Sequence, residues 1–338
     1  MANIDQIEPN EVLPLLPIKK RKIIDPINAI IIKTFLGDNI DHNDQRIRFD
    51  ILDDIKQIKV MYFNDKYICE IKEVGEGAFG VVLKTTYKGN KYAIKIGSRI
   101  DILYESTFID ELKQNGGSEY VISSLLPPIT YEKSSALFMP YYDTDLKRVI
   151  NSKQYLSNAH IQRILSNILE GLAHTHSLGI IHCDIKPANI LVQGEPLKCV
   201  LTDYGISKKD GVNIGHSCTR WYRPPEIIEG KPYSFSADMW GFGCIIYELV
   251  VGDVLFKGYP CGELSNNDEY VPLDVKDGMM DLINKNKLTN NANKLIALTM
   301  RIKDYDKRLL DLFQKCMEID PEKRITAKDA LNHPFCNN

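Results

Sequence analysis

The sequence predicts an α+β protein: a small antiparallel-sheet lobe near the N-terminus, then a larger helical lobe. Three observations predict it. First, β-branched and aromatic residues gather in short runs at Tyr67 to Val74, Val81 to Tyr87, Lys91 to Ile96 and Leu137 to Tyr141. Second, after Asp143 the apolar period changes from strand to helix: Ile161, Ile164, Leu165, Ile168, Leu169 and Leu172 fall on one helical face, and Gly179 follows as a stop signal. Third, the most apolar stretch, Met239 to Val251, is far shorter than the roughly 20 residues a bilayer span needs and carries Glu248, so it reads as a buried core helix.

The elements follow in order. Residues 1–65 read as an N-terminal extension, rich in Ile, Asn and Asp, whose first thirty residues suit a flexible segment. Residues 66–142 form the sheet lobe. A glycine loop separates its first two strands, and Lys88-Gly89-Asn90 turns the second into the third. Residues 143–336 form the helical lobe, whose last helical stretch runs from Leu309 to Phe335.

Composition narrows the function. At 338 residues the chain can build a core without staples. Its net charge of −3 implies no nucleic acid partner. The eight cysteines show no C-x-x-C pair, which suits reduced, buried thiols in an intracellular setting. No signal peptide is visible, and a soluble protein with no membrane attachment is expected. The basic run Lys19-Lys20-Arg21-Lys22 has the composition of a nuclear import signal, and equally of a solvated charge run. The expected location is therefore cytoplasmic, with the nucleus open.

The most informative stretch is His182-Cys183-Asp184-Ile185-Lys186-Pro187-Ala188-Asn189, followed by Asp203-Tyr204-Gly205. Asp184 can take the proton of an incoming hydroxyl. Lys186 can neutralise a phosphoryl group in transfer, and Asn189 and Asp203 offer the hard oxygens that magnesium prefers. This stretch resembles the catalytic loop and metal-binding turn of eukaryotic protein kinases of the serine/threonine type, and the resemblance extends over residues 66–336. It implies the bilobal protein kinase fold, with ATP and Mg2+ as cofactors and protein substrates.

Gly75-Glu76-Gly77-Ala78-Phe79-Gly80-Val81-Val82 fits the phosphate-covering loop, since glycines let the backbone lie close over phosphates. A plain hairpin or a dinucleotide loop would share these glycines. Here the chain continues as strand and delivers Tyr92-Ala93-Ile94-Lys95, which resembles the kinase element whose lysine holds the α- and β-phosphates. Two acidic residues can pair with Lys95. Glu105 is followed by Phe108, Ile109 and Leu112 at core-facing spacing, whereas Glu111 would put Gln114 and Asn115 at apolar positions. Burial pattern favours Glu105.

By the same resemblance Met139 lines the purine pocket, the backbone near Tyr141 meets the base, and Asp145 reaches the ribose, while Val82, Ala93 and Leu191 sandwich the ring. The resemblance also implies that the Thr219 hydroxyl bonds Asp184 and Lys186. It further implies that Glu226 would pair with Arg324 and that Asp238 would accept backbone hydrogen bonds from the catalytic loop. The runs Thr219-Arg220-Trp221-Tyr222-Arg223 and Ala237 to Cys244 resemble the cyclin-dependent and mitogen-activated kinase branch most closely, which implies proline after the target residue.

Departures from the pattern carry information too. Cys183 stands where regulated kinases have the arginine that meets an activating phosphate, and Ile214 and His216 stand where the related branches have phosphorylated residues. Activity without activation-segment phosphorylation is expected. Ala78 and Phe79 replace phosphorylatable residues of cyclin-dependent kinases, and no clear cyclin-binding helix is present, so no cyclin is expected. His174 and His176 lack a third ligand and read as satisfied or surface histidines. Two rivals are a catalytically silent scaffold, opposed by intact Lys95, Asp184, Asn189 and Asp203, and a small-molecule kinase, opposed by the peptide-binding segment Thr219 to Glu226.

Overall fold

The structure, a computed structural model, describes residues 26–37, 39–40, 44–53, 58–77, 80–211, 213–215, 217–256 and 306–337. Lys19 to Lys22, Ala78, Phe79 and His216 lie outside the described residues. The chain divides into two compact units: Met1–Arg99 with Pro127–Leu137, and Ile100–Leu126 with Phe138–Asn338.

The first unit is built on a seven-stranded antiparallel sheet in the order β1-β2-β3-β4-β5-β7-β6. The strands are β1 Ile47–Asp53, β2 Ile58–Phe63, β3 Lys66–Gly77, β4 Gly80–Tyr87, β5 Asn90–Ser98, β6 Ile129–Tyr131 and β7 Ser134–Pro140, the last ending in the second unit. β3, β4, β5 and β7 coincide with the four predicted runs. The β4–β5 turn places Lys88 and Gly89 at positive φ (49° and 81°), the backbone of a tight hairpin.

Helix α1, Pro26–Leu36, and strands β1 and β2 were not expected within residues 1–65. α1 starts at a proline, as helix first turns allow, and buries Ala29 to Ile32. Lys33 donates to the Thr130 carbonyl at 3.3 Å, and Phe35 meets Tyr87 with ring centroids 4.8 Å apart. β1 alternates Ile47, Phe49 and Ile51 with Arg48 and Asp50, which is a strand pattern.

The second unit is mostly helical: α2 Arg99–Gln114, whose first residue belongs to the first unit, α3 Leu146–Asn151, α4 Asn158–Ser177, α5 Pro225–Ile228, α6 Ser236–Val251, α7 Lys307–Cys316 and α8 Ala327–Leu331. Two small sheets join them, β11-β10-β8 and β12-β9, from β8 Thr144–Asp145, β9 Ile180–Ile181, β10 Ile190–Gln193, β11 Lys198–Leu201 and β12 Lys208–Lys209. The predicted helix of residues 161–172 is the middle of α4, begun by a Ser157–His160 capping box. The stretch after Leu309 contains α7 and α8.

The apolar segment Met239 to Val251 is the buried helix α6, with Trp240, Phe242 and Ile245 at the centre of the core. Its Glu248 is fully buried and takes the Lys147 ammonium and the Tyr222 hydroxyl, the latter at 2.6 Å, so the charge is not left unpaired. Gly241 is needed for packing. A Cβ there would lie 2.7 Å from the Ile185 carbonyl, so glycine lets α6 press against the loop that carries Asp184.

Candidate active site

The β10–β11 hairpin brings the two expected magnesium ligands together. Ile190 pairs with Leu201 at its open end, so Asn189 and Thr202 flank it, and Thr202 N–H donates to the Asn189 carbonyl at 3.1 Å. Asn189 is buried, and its amide nitrogen donates to the Asp184 carbonyl and to Asp184 Oδ2, both at 2.9 Å. That orientation turns its Oδ1 away from Asp184. Asp203 follows at φ +68°, a left-handed conformation that costs an ordinary residue about 1–2 kcal/mol. A side-chain oxygen from Asn189 and a carboxylate from Asp203 are a suitable donor set for magnesium, which usually takes one or two protein ligands and completes its shell with phosphate oxygens and water.

Around Asp184 a closed triangle forms. Lys186 Nζ donates to Asp184 Oδ2 and to Thr219 Oγ1, both at 2.7 Å, and Thr219 Oγ1 donates to Asp184 Oδ1 at 2.6 Å. Thr219 N–H adds a fourth bond to Oδ1 at 3.0 Å. Burial works against the charged form of Asp184, but the Lys186 charge and the bonds from Lys186 and Thr219 outweigh it and hold the carboxyl below its ordinary range. Asp184 is therefore a carboxylate at neutral pH.

The loop holding Asp184 is pinned from below. Asp238, at the start of α6, accepts His182 N–H and Cys183 N–H at 2.8 Å each, and His176 Nε2 lies 2.9 Å from its Oδ2. His182 Nε2 meets the Thr202 carbonyl at 3.0 Å and its ring packs on Tyr204, whose hydroxyl lies 3.0 Å from Thr175 Oγ1. Arg324 and Glu226 form a two-bond pair at 2.7 and 3.0 Å, with both side chains nearly sealed from solvent. His174 meets the Leu112 carbonyl at 3.1 Å, so of the two readings, satisfied or surface, both histidines take the satisfied one.

Left-handed backbone recurs beside Asp184 and Thr219. Cys183 (φ +66°) precedes Asp184, and Cys218 (φ +67°) precedes Thr219. Both thiols sit in one apolar cluster with Ile181, Ile227, Tyr233 and Ala237. Burial pushes the Cys183 thiol up to about 12, with the Asp238 charge adding to it, so it is neutral. Arg223 clasps the same segment from Nε to the Ser217 carbonyl (2.9 Å) and from Nη2 to the Cys218 carbonyl (3.0 Å).

The remaining candidate residues are divided between the units. The first carries Gly75, Gly77, Gly80, Val82, Ala93 and Lys95. Gly77 pairs with Gly80 at the loop end, and Val82 pairs with Lys95. Val82, Ala93 and Lys95 share one face of the sheet, opposite buried Leu83, Ile94 and Ile96. Gly80, at φ +129°, has no room for a Cβ, which would lie 1.9 Å from the Ile96 carbonyl. Gly75 has no such constraint, its nearest contact being Val82 Cβ at 4.0 Å.

In the second unit Met139 is buried at the end of β7, Tyr141 follows it, and Leu191 lies across from Asp145 in the β8–β10 pairing. Asp145 also caps α3, accepting Arg148 N–H at 2.9 Å. The cap is a function of Asp145 beyond its expected ribose contact, and an aspartate ahead of Leu146 is its signal in the sequence. Glu105 is buried on α2, and its Oε2 and Asp203 Oδ1 lie 3.8 and 3.5 Å from where a Gly205 Cβ would be. Glu111, the alternative, is partly exposed and paired with Lys209. Phe108, Ile109 and Leu112 are buried, as the Glu105 alignment requires.

The protein kinase domain matches residues 68–336. The chain is 32% identical over 290 residues to mitogen-activated protein kinase 4a of Physcomitrium patens, covering 80% of this chain and 77% of that one. It is 32% identical over 286 residues to mitogen-activated protein kinase p38b of Drosophila melanogaster, covering 78% of each. It is 29% identical over 314 residues to mitogen-activated protein kinase homolog NTF6 of Nicotiana tabacum, covering 87% and 83%. With its bilobal α+β fold, the chain belongs to the protein kinase family, as a serine/threonine kinase of the branch that holds the mitogen-activated kinases.

Proposed function

We propose that this kinase moves the γ-phosphoryl group of Mg-ATP to serine or threonine hydroxyls of proteins, without phosphorylation of its own activation segment. The observation that carries the chemistry is the Asp184–Lys186–Thr219 triangle beside Asn189. Asp184 accepts the hydrogen of the incoming hydroxyl, and Lys186 meets charge developing on the transferring group. Thr219 holds both in place. Asn189 and Asp203 would hold the magnesium ion, which when bound neutralises phosphate charge. Gly75, Gly77, Gly80 and Lys95 would hold the phosphates. Val82, Ala93, Met139, Tyr141 and Leu191 would hold the base, and Asp145 the ribose. Because Glu111 is engaged by Lys209, Glu105 is the favoured acidic partner for Lys95.

Independence from phosphorylation is supported by what replaces a phosphate site. A neutral, buried thiol stands at Cys183, where a cation would be needed. Ser207 is fully buried with its hydroxyl on the His182 carbonyl (3.1 Å), Thr219 is committed to Asp184, and Ser217 lies beside Cys183. A preference for proline after the target residue is supported by Arg223, which occupies the Cys218 carbonyl. A peptide N–H would find no acceptor there, and proline has none to satisfy. No cyclin, nucleic acid or membrane partner is part of this reading; among the described residues no helix is long and apolar enough to cross a membrane. Buried free thiols at Cys69, Cys183, Cys199, Cys218, Cys244 and Cys316 suit a reducing, intracellular location, cytoplasmic with the nucleus open.

The test is the rate of phosphate transfer to a generic basic protein by phosphatase-treated enzyme, before and after exposure to an upstream kinase. The expected rates agree within about twofold. A rise of tenfold or more overturns the reading.

A further inference from the structure

The outer face of α2 touches the activation segment through side chains that the catalytic geometry does not use. Tyr104 donates its hydroxyl to the Ser207 carbonyl at 2.7 Å. Lys208 Nζ lies over the Tyr104 ring, 5.7 Å from its centroid. Glu111, two helical turns further on, pairs with Lys209. Three consecutive residues of the segment are therefore each held from α2.

The same three residues are tied to the catalytic loop. Lys208 and Lys209 pair as β12 with Ile181 and Ile180, the strand that leads into His182. Ser207 Oγ donates to the His182 carbonyl, and Lys209 Nζ also reaches the Leu178 carbonyl at 3.2 Å. Asn213 Nδ2 donates to the Lys209 carbonyl at 2.9 Å, extending the order along the segment. Ser207 stands four residues after Asp203. Fixing Ser207 to Lys209 thus restricts the short stretch that carries Asp203, while Glu105 of the same helix lies near Gly205.

We propose that Tyr104 and Glu111 are positioning residues: with Ser207, Lys208 and Lys209 they form a clasp that takes the place of an activating phosphate. The proposal rests on the phosphorylation-independent reading given above. A phosphate orders a segment by adding charge that a basic residue can meet. Here the cation and the anion are both already in the chain, with Lys209 on the segment and Glu111 on the helix. Half-exposed ion pairs are weak singly, and the Glu111 and Lys209 side chains are 35% and 51% exposed. The Tyr104 bond and the ion pair act on residues within one short stretch, so losing both should cost more than losing either.

The test uses the full-length chain, phosphatase-treated and checked for phosphate by intact mass, in four forms besides wild type: Glu111→Gln, Tyr104→Phe, the two combined, and Glu111→Lys with Lys209→Glu. kcat is expected to fall about threefold in the first, about fivefold in the second and about tenfold or more in the third, at unchanged peptide KM. The reversed pair should recover most of the Glu111→Gln loss. Added salt should lower wild-type kcat and leave the Glu111→Gln value nearly level, which a merely structural role would not produce. An active wild type with an equally active double variant overturns the clasp alone, as does a reversed pair no better than Glu111→Gln. An inactive wild type that gains activity from an upstream kinase overturns the phosphorylation-independent reading and the clasp with it.

Discussion

Thr219 binds Asp184 twice, through its hydroxyl at 2.6 Å and its backbone N–H at 3.0 Å, both on Oδ1. Thr219 and Asp184, the proposed proton acceptor, are therefore one hydrogen-bonded unit. Whatever moves Cys218 or Arg223 also moves the bond that orients Asp184.

Removing that hydroxyl should slow chemistry more than it weakens nucleotide binding. Thr219→Val is expected to lower kcat about 10- to 100-fold, with Kd for Mg-ATP within about twofold. Steady-state kinetics and a nucleotide titration check it. Equal losses in both would mean that Thr219 acts on binding instead.

The pH dependence follows from the lowered pKa of Asp184. A carboxyl held below its unfolded value contributes stability that is fully present above the unfolded pKa of about 3.9 and is lost as pH falls through the folded value. Asp184 therefore stays charged throughout the neutral range. Lys186→Met removes the charge that most favours the carboxylate, so the acid limb of kcat/KM should move to higher pH. A pH–rate profile of the variant against wild type checks the direction.

The glycine loop should separate stability from nucleotide affinity. Gly80→Ala places a methyl 1.9 Å from the Ile96 carbonyl at a left-handed φ, and is expected to lower Tm by several degrees. Gly75→Ala meets nothing nearer than 4.0 Å, so Tm should hold while KM for ATP rises about tenfold. Thermal melts beside ATP kinetics distinguish them.

Arg324→Ala leaves Glu226 buried and uncompensated, and also frees the Ser236 and Glu318 carbonyls that Arg324 holds. The expected cost is about 3–5 kcal/mol, a Tm drop on the order of 10 °C. A drop under about 2 °C in calorimetry would show that the pair is not the anchor described.

Peptides should report Arg223 directly. Substrates with proline after the target serine should exceed alanine counterparts by about tenfold in kcat/KM, and Arg223→Met should erase most of that ratio. A ratio near one in the wild type would remove the role assigned to the Cys218 carbonyl.

What the sequence discloses follows from how strictly each task constrains residue identity. The proposed phosphoryl transfer calls for a carboxylate, an ammonium and oxygen ligands at set spacing, so Asp184, Lys186, Asn189 and Asp203 stand out in the sequence as candidates, and the structure joins Asp184, Lys186 and Asn189 by hydrogen bonds. α4 and α6 are legible because their apolar residues repeat at helical spacing or fill the core. β1 and β2 precede the glycine loop without any chemical mark, although the Ile47–Phe49–Ile51 alternation is a readable strand signal. The Asp145 cap, the Lys147–Glu248–Tyr222 bonds and the Glu111–Lys209 pair join positions whose contacts depend on tertiary packing. Glu111 is a candidate for Lys95 by spacing, and its contact with Lys209 adds to the burial pattern that already favours Glu105.

The most direct measurement is transfer of labelled phosphate from Mg-ATP to a basic protein substrate by phosphatase-treated wild type and by Asp184→Asn, which keeps size and shape while removing the charge. Transfer by the wild type, with a loss of at least about 100-fold in the variant at an unchanged Tm, is the predicted result. An inert wild type, or a variant as active as its parent, would contradict the account.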